Sequence, residues 1–111
     1  METIKIMGGY VELHPFVTRR ISRGYSEILG KTANVNSEGA QIVTSEGVNK
    51  ASEYMVLEMV KRAVVVSEDG TEHEQKVDSD WLDELAERDF RNISDAVQKL
   101  FEEARGKAKK V

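Results

Sequence analysis

The chain has 111 residues, of which 40% are apolar and 32% charged, enough for one domain with a modest core. It contains no cysteine, which excludes disulfides, thiolate metal sites and a thiol nucleophile. The net charge of −4 argues against nucleic acid as the main partner, because phosphate binding needs a basic surface. Since no apolar run approaches the roughly 20 residues of a membrane span, and no secretory signal is visible, we expect a cytoplasmic protein without membrane contact.

The N-terminal segment predicts a β-hairpin followed by a helix. Residues 3–13 consist of two short runs of alternating apolar and polar side chains joined by Gly8-Gly9, a pair that favours a tight turn. Pro15, the only proline, ends the second run and is suited to the first turn of a helix. Apolar residues at helical steps then predict a helix over 16–29, with Gly30 as its C-terminal stop. These apolar residues are Val17, Ile21, Tyr25, Ile28 and Leu29.

Residues 31–47 are predicted to form a mobile loop. The stretch is rich in Asn, Ser, Thr and Gly and has few large apolar side chains. A structureless loop of roughly 15 residues inside a compact domain is usually functional or disordered. We therefore expect this loop to be mobile in the free protein, and to become ordered on self-association or on binding a partner.

A central helix is predicted next, because apolar residues recur at helical steps from 48 to 65. The β-branched run Val64-Val65-Val66 at its end can form a strand instead. Glu68-Asp69-Gly70 then predicts a turn. The polar residues 71–77 form either a short edge strand or an irregular arm.

Residues 78–101 predict two short amphipathic helices in tandem. The first contains Trp81, and Asp78 or Ser79 can cap its N-terminus. Asp89 can cap the second helix in the same way. The large apolar side chains of that second helix fall on one stripe, at steps of three and four: Phe90, Ile93, Val97, Leu100 and Phe101.

Together these elements predict an α+β fold in which an N-terminal β-hairpin is followed by about four amphipathic helices, so that the chain is mostly α. Residues 1–105 are expected to form a single compact domain that includes the mobile loop 31–47. Residues 106–111 are expected to be a basic C-terminal tail. The last two helices are predicted to share one core, made of Trp81, Leu85, Phe90, Ile93 and Val97.

No pattern of residues indicates catalysis, a metal site or a cofactor site. His14 and His73 have no second histidine at the spacing of metal ligands. The acidic run over 78–87 is typical of helix starts, which carboxylates stabilise. Gly8-Gly9 is not followed by the Lys and the Ser or Thr of a phosphate-binding loop. We therefore expect a protein that is not an enzyme and that has no cofactor and no metal.

Four apolar residues are candidates for binding a partner. Met55 and Met59 lie one helical turn apart, and methionine is common where a surface must adapt to different partners. Packing in the core is the ordinary role of such a pair. If a partner groove exists, however, this helix and the Trp81–Phe101 pair of helices are its expected walls. The candidate partner-binding residues are therefore Met55, Met59, Trp81 and Phe101.

The order of elements resembles that of the tail assembly chaperones of long-tailed bacteriophages. In many of those proteins an apolar helix ending in valines leads to an Asp-Gly turn, and then to two capped amphipathic helices, the second beginning with Asp-Phe. A short hairpin precedes a helix that opens with proline and carries two arginines. The corresponding residues here are Glu68-Asp69-Gly70, Trp81, Leu85, Asp89-Phe90, Ile93 and Ala96-Val97, with Pro15 and Arg19-Arg20 in the N-terminal part.

The resemblance implies a non-enzymatic chaperone of the host cytoplasm. Such a protein binds the long helical tape measure protein while the tail tube assembles, and it is absent from the finished particle. A homo-oligomer is expected, with the tail tube protein as a further candidate partner. Members of this family are often extended by a translational frameshift, which a product of this length could precede.

Two other functions remain open on the sequence. One is a small structural or adaptor protein of the phage particle, such as a head–tail completion or tail component. The other is a DNA-binding regulator, because the turn at 87–89 is short enough for a helix-turn-helix. The second helix is a poor surface for a phosphate backbone, however, since Asp95, Glu102 and Glu103 oppose Arg91 and Lys99.

Overall fold

The strands form one four-stranded antiparallel sheet and a separate two-stranded ribbon. This computed structural model describes residues 2–104. Its strands are β1 (Thr3–Ile6), β2 (Gly9–Leu13), β3 (Asn34–Val35), β4 (Gln41–Ile42), β5 (Val60–Val66) and β6 (Glu72–Gln75). The larger sheet has the order β1-β2-β5-β6, and β3 pairs with β4 in the ribbon. All four pairings are antiparallel.

The helices pack on one another and on the sheet. They are α1 (Arg19–Thr32), α2 (Ser45–Met59), α3 (Ser79–Asp83) and α4 (Glu87–Ala104). The helix α1 packs along α2, whereas α4 contacts both α2 and β1. The two-stranded ribbon connects α1 to α2 and lies at the far end of this helical pair.

The core lies between the sheet and the helices α2 and α4. Val11 and Ala63 are opposite each other in the β2–β5 pair, and both are fully buried. Ile93 and Val97 of α4 are fully buried in the same cluster. The remaining three residues of the predicted helical core are partly buried and pack against this cluster: Trp81, Leu85 and Phe90.

The predicted hairpin is confirmed as β1–β2, but its turn is Met7-Gly8. Gly8 has a φ of 79°, in the left-handed region that favours glycine. Gly9 is instead the first residue of β2, where a Cβ atom would meet the main-chain carbonyl oxygen of Val64. The two glycines are therefore needed for different reasons, one for the turn and one for the close approach of β5.

The prediction of a mostly α chain is wrong. The N-terminal hairpin and four helices are present, but the hairpin is half of a four-stranded sheet. The helix predicted over 48–65 ends at Met59, and β5 begins at Val60. β5 contains four valines, whose branched side chains favour a strand, and it pairs with β2 about 50 residues earlier in the sequence. Of the two alternatives for residues 71–77, the strand is observed, as β6.

The bounds of α1 and α4 also differ from the prediction. The helix α1 begins at Arg19, with Thr18 as its N-cap, and it continues through Gly30 to Thr32. Gly30 is therefore not a stop. Asp78 is confirmed as the N-cap of α3, but α4 begins at Glu87, so that Asp89 lies inside its first turn and is not the cap.

The predicted loop 31–47 contains the end of α1, the ribbon β3–β4 and the start of α2. Its mobility stays a prediction. The predicted basic tail, 106–111, lies outside the described residues. Between residues 2 and 104, no helix has the combination of length and apolar character that crossing a membrane requires.

Candidate partner-binding groove

A groove opens between α2 and the segment that joins α3 to α4. We call it the α2–α3 groove. Its volume is about 320 Å³. Two residues of α2, one turn apart, form one side. The lining residues are Asn49, Glu53, Leu82, Asp83, Leu85, Glu87 and Phe90.

The apolar floor of the groove is held in place by the cap of α3. The Asp78 carboxylate accepts a hydrogen bond from the main-chain N–H of Trp81, at 3.0 Å, and the Asp78 carbonyl accepts one from Leu82, also at 3.0 Å. The chain then turns, with the Leu85 N–H donating to the Leu82 carbonyl at 3.2 Å. This local structure puts Leu82, which is buried, beside the half-buried Leu85 and Phe90.

The rim of the groove is acidic. Glu53, Asp83 and Glu87 are exposed and line its mouth. Glu87 has one long contact, with Arg91 at 3.8 Å. Neither Glu53 nor Asp83 is paired with a Lys or Arg side chain within residues 2–104. The groove therefore presents apolar side chains surrounded by carboxylates, with no cation in its lining.

Three of the four candidate partner-binding residues lie in the core of the monomer. Met55, Met59 and Phe101 are at most 1% exposed. The Phe101 ring packs against Tyr25, with the ring centroids 4.9 Å apart. Trp81 is partly buried. A partner could not reach the three core residues without an opening of the fold, so their binding role stays a prediction that their burial does not support.

The groove lies on the helices that the sequence indicated as its walls, but neighbouring residues line it. Leu82 and Phe90 could be recognised as apolar from the sequence, and Glu53 as charged. Which of them face the groove depends on how α2 crosses the α3–α4 segment. Local periodicity carries no signal for that long-range geometry.

A second exposed apolar surface lies at the end of the α1–α2 pair. We call it the arm tip, and it is made of four side chains that are between 42% and 66% exposed. Two hydrogen bonds tie the start of α2 to the end of α1: Thr44 caps α2 by accepting the Gly47 N–H, and its hydroxyl donates to the Thr32 carbonyl, both at 3.0 Å. The members of the arm tip are Val35, Ile42, Val43 and Val48.

The outer face of the sheet carries a network of charges centred on Arg62. Glu12 lies opposite Arg62 in the β2–β5 pair and contacts its guanidinium at 3.3 Å. Glu74 and Glu72 of β6 contact the same group, and the Tyr10 hydroxyl donates to Glu72 at 3.1 Å. The hydrogen bond to Glu74 raises the pKa of Arg62, so the Arg62 guanidinium stays positively charged.

The described residues offer no other group that indicates chemistry. His14 and His73 are both exposed. Within residues 2–104, no three His, Asp or Glu side chains are placed to hold a metal ion. Comparison of the chain with protein-family models, with curated proteins and with solved structures found no match. The α2–α3 groove and the arm tip are therefore the features from which a function can be argued.

Proposed function

We propose that the protein is a non-enzymatic tail assembly chaperone of a long-tailed bacteriophage. In the host cytoplasm it binds the tape measure protein while the tail tube assembles. The observation that supports this proposal best is the α2–α3 groove, a surface cleft with an apolar floor on the helices whose sequence resembles that family. The finished particle should not contain the protein.

The dimensions of the groove suit a helical client. A volume of about 320 Å³ accommodates one or two large side chains. A helix lying across such a cleft presents side chains at steps of three and four on one face, so that one or two of them can enter a single groove. Further copies of the chaperone would bind other stretches of the same client. Binding then depends on apolar anchors, with Leu85 and Phe90 as the contact residues.

The arm tip supports the expected homo-oligomer. Its four exposed apolar side chains belong to the ribbon β3–β4 and the residues that follow it up to the first turn of α2, and exposed apolar surface marks association sites where it is contiguous. A row of self-associated copies would place many grooves along one elongated client.

The test is co-purification with the product of the longest helical reading frame near the gene. The variant Leu85→Ser removes part of the groove floor and should reduce recovery of the client about tenfold or more, because an apolar anchor loses its contact. Phe16→Ser is the matched control, since Phe16 is 66% exposed and lies outside the groove. Thermal unfolding of both variants shows whether the fold is kept.

A charge at Met59 is not a suitable test, because that fully buried side chain reports on folding. If the wild-type chain fails to bind the client and is found in purified mature particles, the structural or adaptor alternative replaces the chaperone. If Phe16→Ser weakens binding as much as Leu85→Ser does, the groove is not the contact.

A further inference from the structure

We infer that the α2–α3 groove selects a basic amphipathic helix, in which apolar side chains that enter the groove are flanked by Lys or Arg. This inference deepens the proposed function and rests on it for the identity of the natural client. Its observation is the composition of the lining, which combines an apolar floor with three carboxylates and no cation.

The acidic charge of the chain is concentrated beside this groove. Residues 78–89 contain six carboxylates and one arginine, a segment charge of −5, whereas the described residues 2–104 contain 20 carboxylates and 12 Lys or Arg, a charge of −8. More than half of the net negative charge of the described chain therefore lies in this segment. A partner that approaches this end of the molecule meets a field that attracts cations and repels anions.

Helix stability accounts for only part of this charge. Asp78 caps α3, and Glu87 lies in the first turn of α4, where the positive end of the helix dipole favours a carboxylate. Asp83 is the last residue of α3, where the dipole disfavours an anion, and Glu53 lies in the middle of α2. Helix stability therefore does not account for the Glu53 and Asp83 carboxylates, neither of which is paired with a Lys or Arg side chain within residues 2–104.

The floor and the rim have different parts in binding. Burial of apolar side chains against Leu85 and Phe90 supplies the part of the affinity that does not depend on charge. Each rim ion pair is exposed and therefore weak, but three of them acting together favour a basic helix over an acidic one of the same apolar pattern. The groove therefore distinguishes clients by the sign of the charge beside their apolar residues.

The test uses three synthetic helical peptides of about 18 residues, a length that forms several helical turns. The first has leucines at steps of three and four with lysines elsewhere, the second has the same leucines with glutamates, and the third has the same lysines with serine in place of leucine. Each is titrated into the full chain, and the amide NMR signals are followed. The leucine–lysine peptide should bind about tenfold or more tightly than either of the others, with shifts at Glu53, Asp83 and Phe90.

Matched variants locate the charge effect. The double variant Glu53→Gln, Asp83→Asn should lower the affinity for the leucine–lysine peptide about tenfold and abolish its preference over the leucine–glutamate peptide. The control is Glu68→Gln, Glu102→Gln, which changes the net charge equally at exposed positions outside the groove. This control should keep both the affinity and the preference.

Three outcomes would overturn the inference. Equal binding of the two leucine peptides would show that the rim has no selective effect. Equal binding of the serine–lysine peptide would reduce the surface to a general attraction for polycations. Absence of binding by every peptide would remove the groove as a helix site. Because no phage component enters this measurement, failure with the tape measure protein but the expected result with peptides would overturn the proposed function and leave the inference standing.

Discussion

At the scale of single residues, Asp89 joins the first strand to the last helix. It is 4% exposed, and its carboxylate accepts the main-chain N–H of Met7 at 2.9 Å. Met7 directly follows β1, which is an edge strand of the sheet. The hydrogen bond therefore attaches one end of this edge strand to α4. Asp89 is the only charged residue classed as buried within 2–104, and this hydrogen bond is what satisfies it.

We expect Asp89→Ala to lower the free energy of unfolding by about 1.5–3 kcal/mol, the range for a hydrogen bond to a charged group. Asp89→Asn keeps an acceptor oxygen and should lose less. Urea unfolding of the two variants measures the difference. An equal and small loss in both would show that the Met7–Asp89 hydrogen bond does not contribute to stability.

Asp69 gives the molecule a measurable pH signature. The Ser67 hydroxyl donates to its carboxylate at 2.6 Å and the Thr71 N–H at 2.9 Å, and these bonds lower the pKa of Asp69 from 3.8 to about 2. Because the folded pKa is depressed, this interaction stabilises the fold above about pH 3.8 and is lost as the pH falls through about 2. NMR titration of wild type and Ser67→Ala should show the pKa rising toward 3.8 in the variant. An unchanged value would rule out the hydroxyl as the main cause.

At the scale of elements, Gly9 and Gly30 differ in whether an added side chain would fit, so alanine substitutions at the two positions can be compared directly. A Cβ atom at Gly9 would meet the main-chain carbonyl of Val64, whereas one at Gly30, inside α1, would meet nothing within 4 Å. Gly9→Ala should therefore force β2 and β5 apart and destabilise the protein. Gly30→Ala should stabilise it by up to about 1 kcal/mol through helix propensity. Thermal unfolding measures both effects, and a change of melting temperature in the same direction for the two substitutions would contradict this assignment.

Elements whose signals are local could be predicted from the sequence. The hairpin follows from alternation on either side of a glycine pair, and the cap at Asp78 follows from a side chain that can reach the first free N–H groups of α3. The helices α1, α2 and α4 were expected from apolar steps of three and four, with errors at their ends.

Elements that depend on distant partners could not be predicted in the same way. The apolar steps of α2 continue past Met59, and the local strand signal covers only Val64-Val65-Val66. Pairing with β2 extends the strand back to Val60, and pairing with β6 covers its other edge. Met55 and Met59 show the same limit, because a stripe of apolar side chains does not reveal whether core or partner will cover it. The position of the groove likewise depends on the crossing of α2 with α3.

At the scale of the whole molecule, the shape is elongated, and α1 packs mainly on α2. The principal extents are 60 × 36 × 22 Å, and the Cα radius of gyration is 16.0 Å, against about 13 Å for a compact chain of this length. The arm tip is therefore separated from the sheet and its core. Val48 of the arm tip directly precedes Asn49 of the α2–α3 groove, so the two surfaces are neighbours at the start of α2.

Hydrogen exchange should be fast in the ribbon β3–β4, at the end of the α1–α2 pair. The ribbon has only two residue pairs, and its exposed side chains bury little apolar surface that could offset the entropy of ordering. In the monomer we expect the amides of residues 34–45 to exchange far faster than those of Val56 and Met59 in the core. Self-association should slow them. Strong protection of 34–45 in a verified monomer would contradict the predicted mobility.

The Met7–Asp89 hydrogen bond also bears on how the chain matures during translation. Its two residues are 82 positions apart. The core side chains of β2 likewise cannot pack against Ile93 and Val97 until α4 has been synthesised. At roughly 5–20 residues per second, the ribosome needs roughly 4–16 s to make the intervening chain. During that interval the apolar face of the N-terminal hairpin has no α4 to cover it. A nascent chain of this protein therefore exposes apolar surface that only the completed chain can cover.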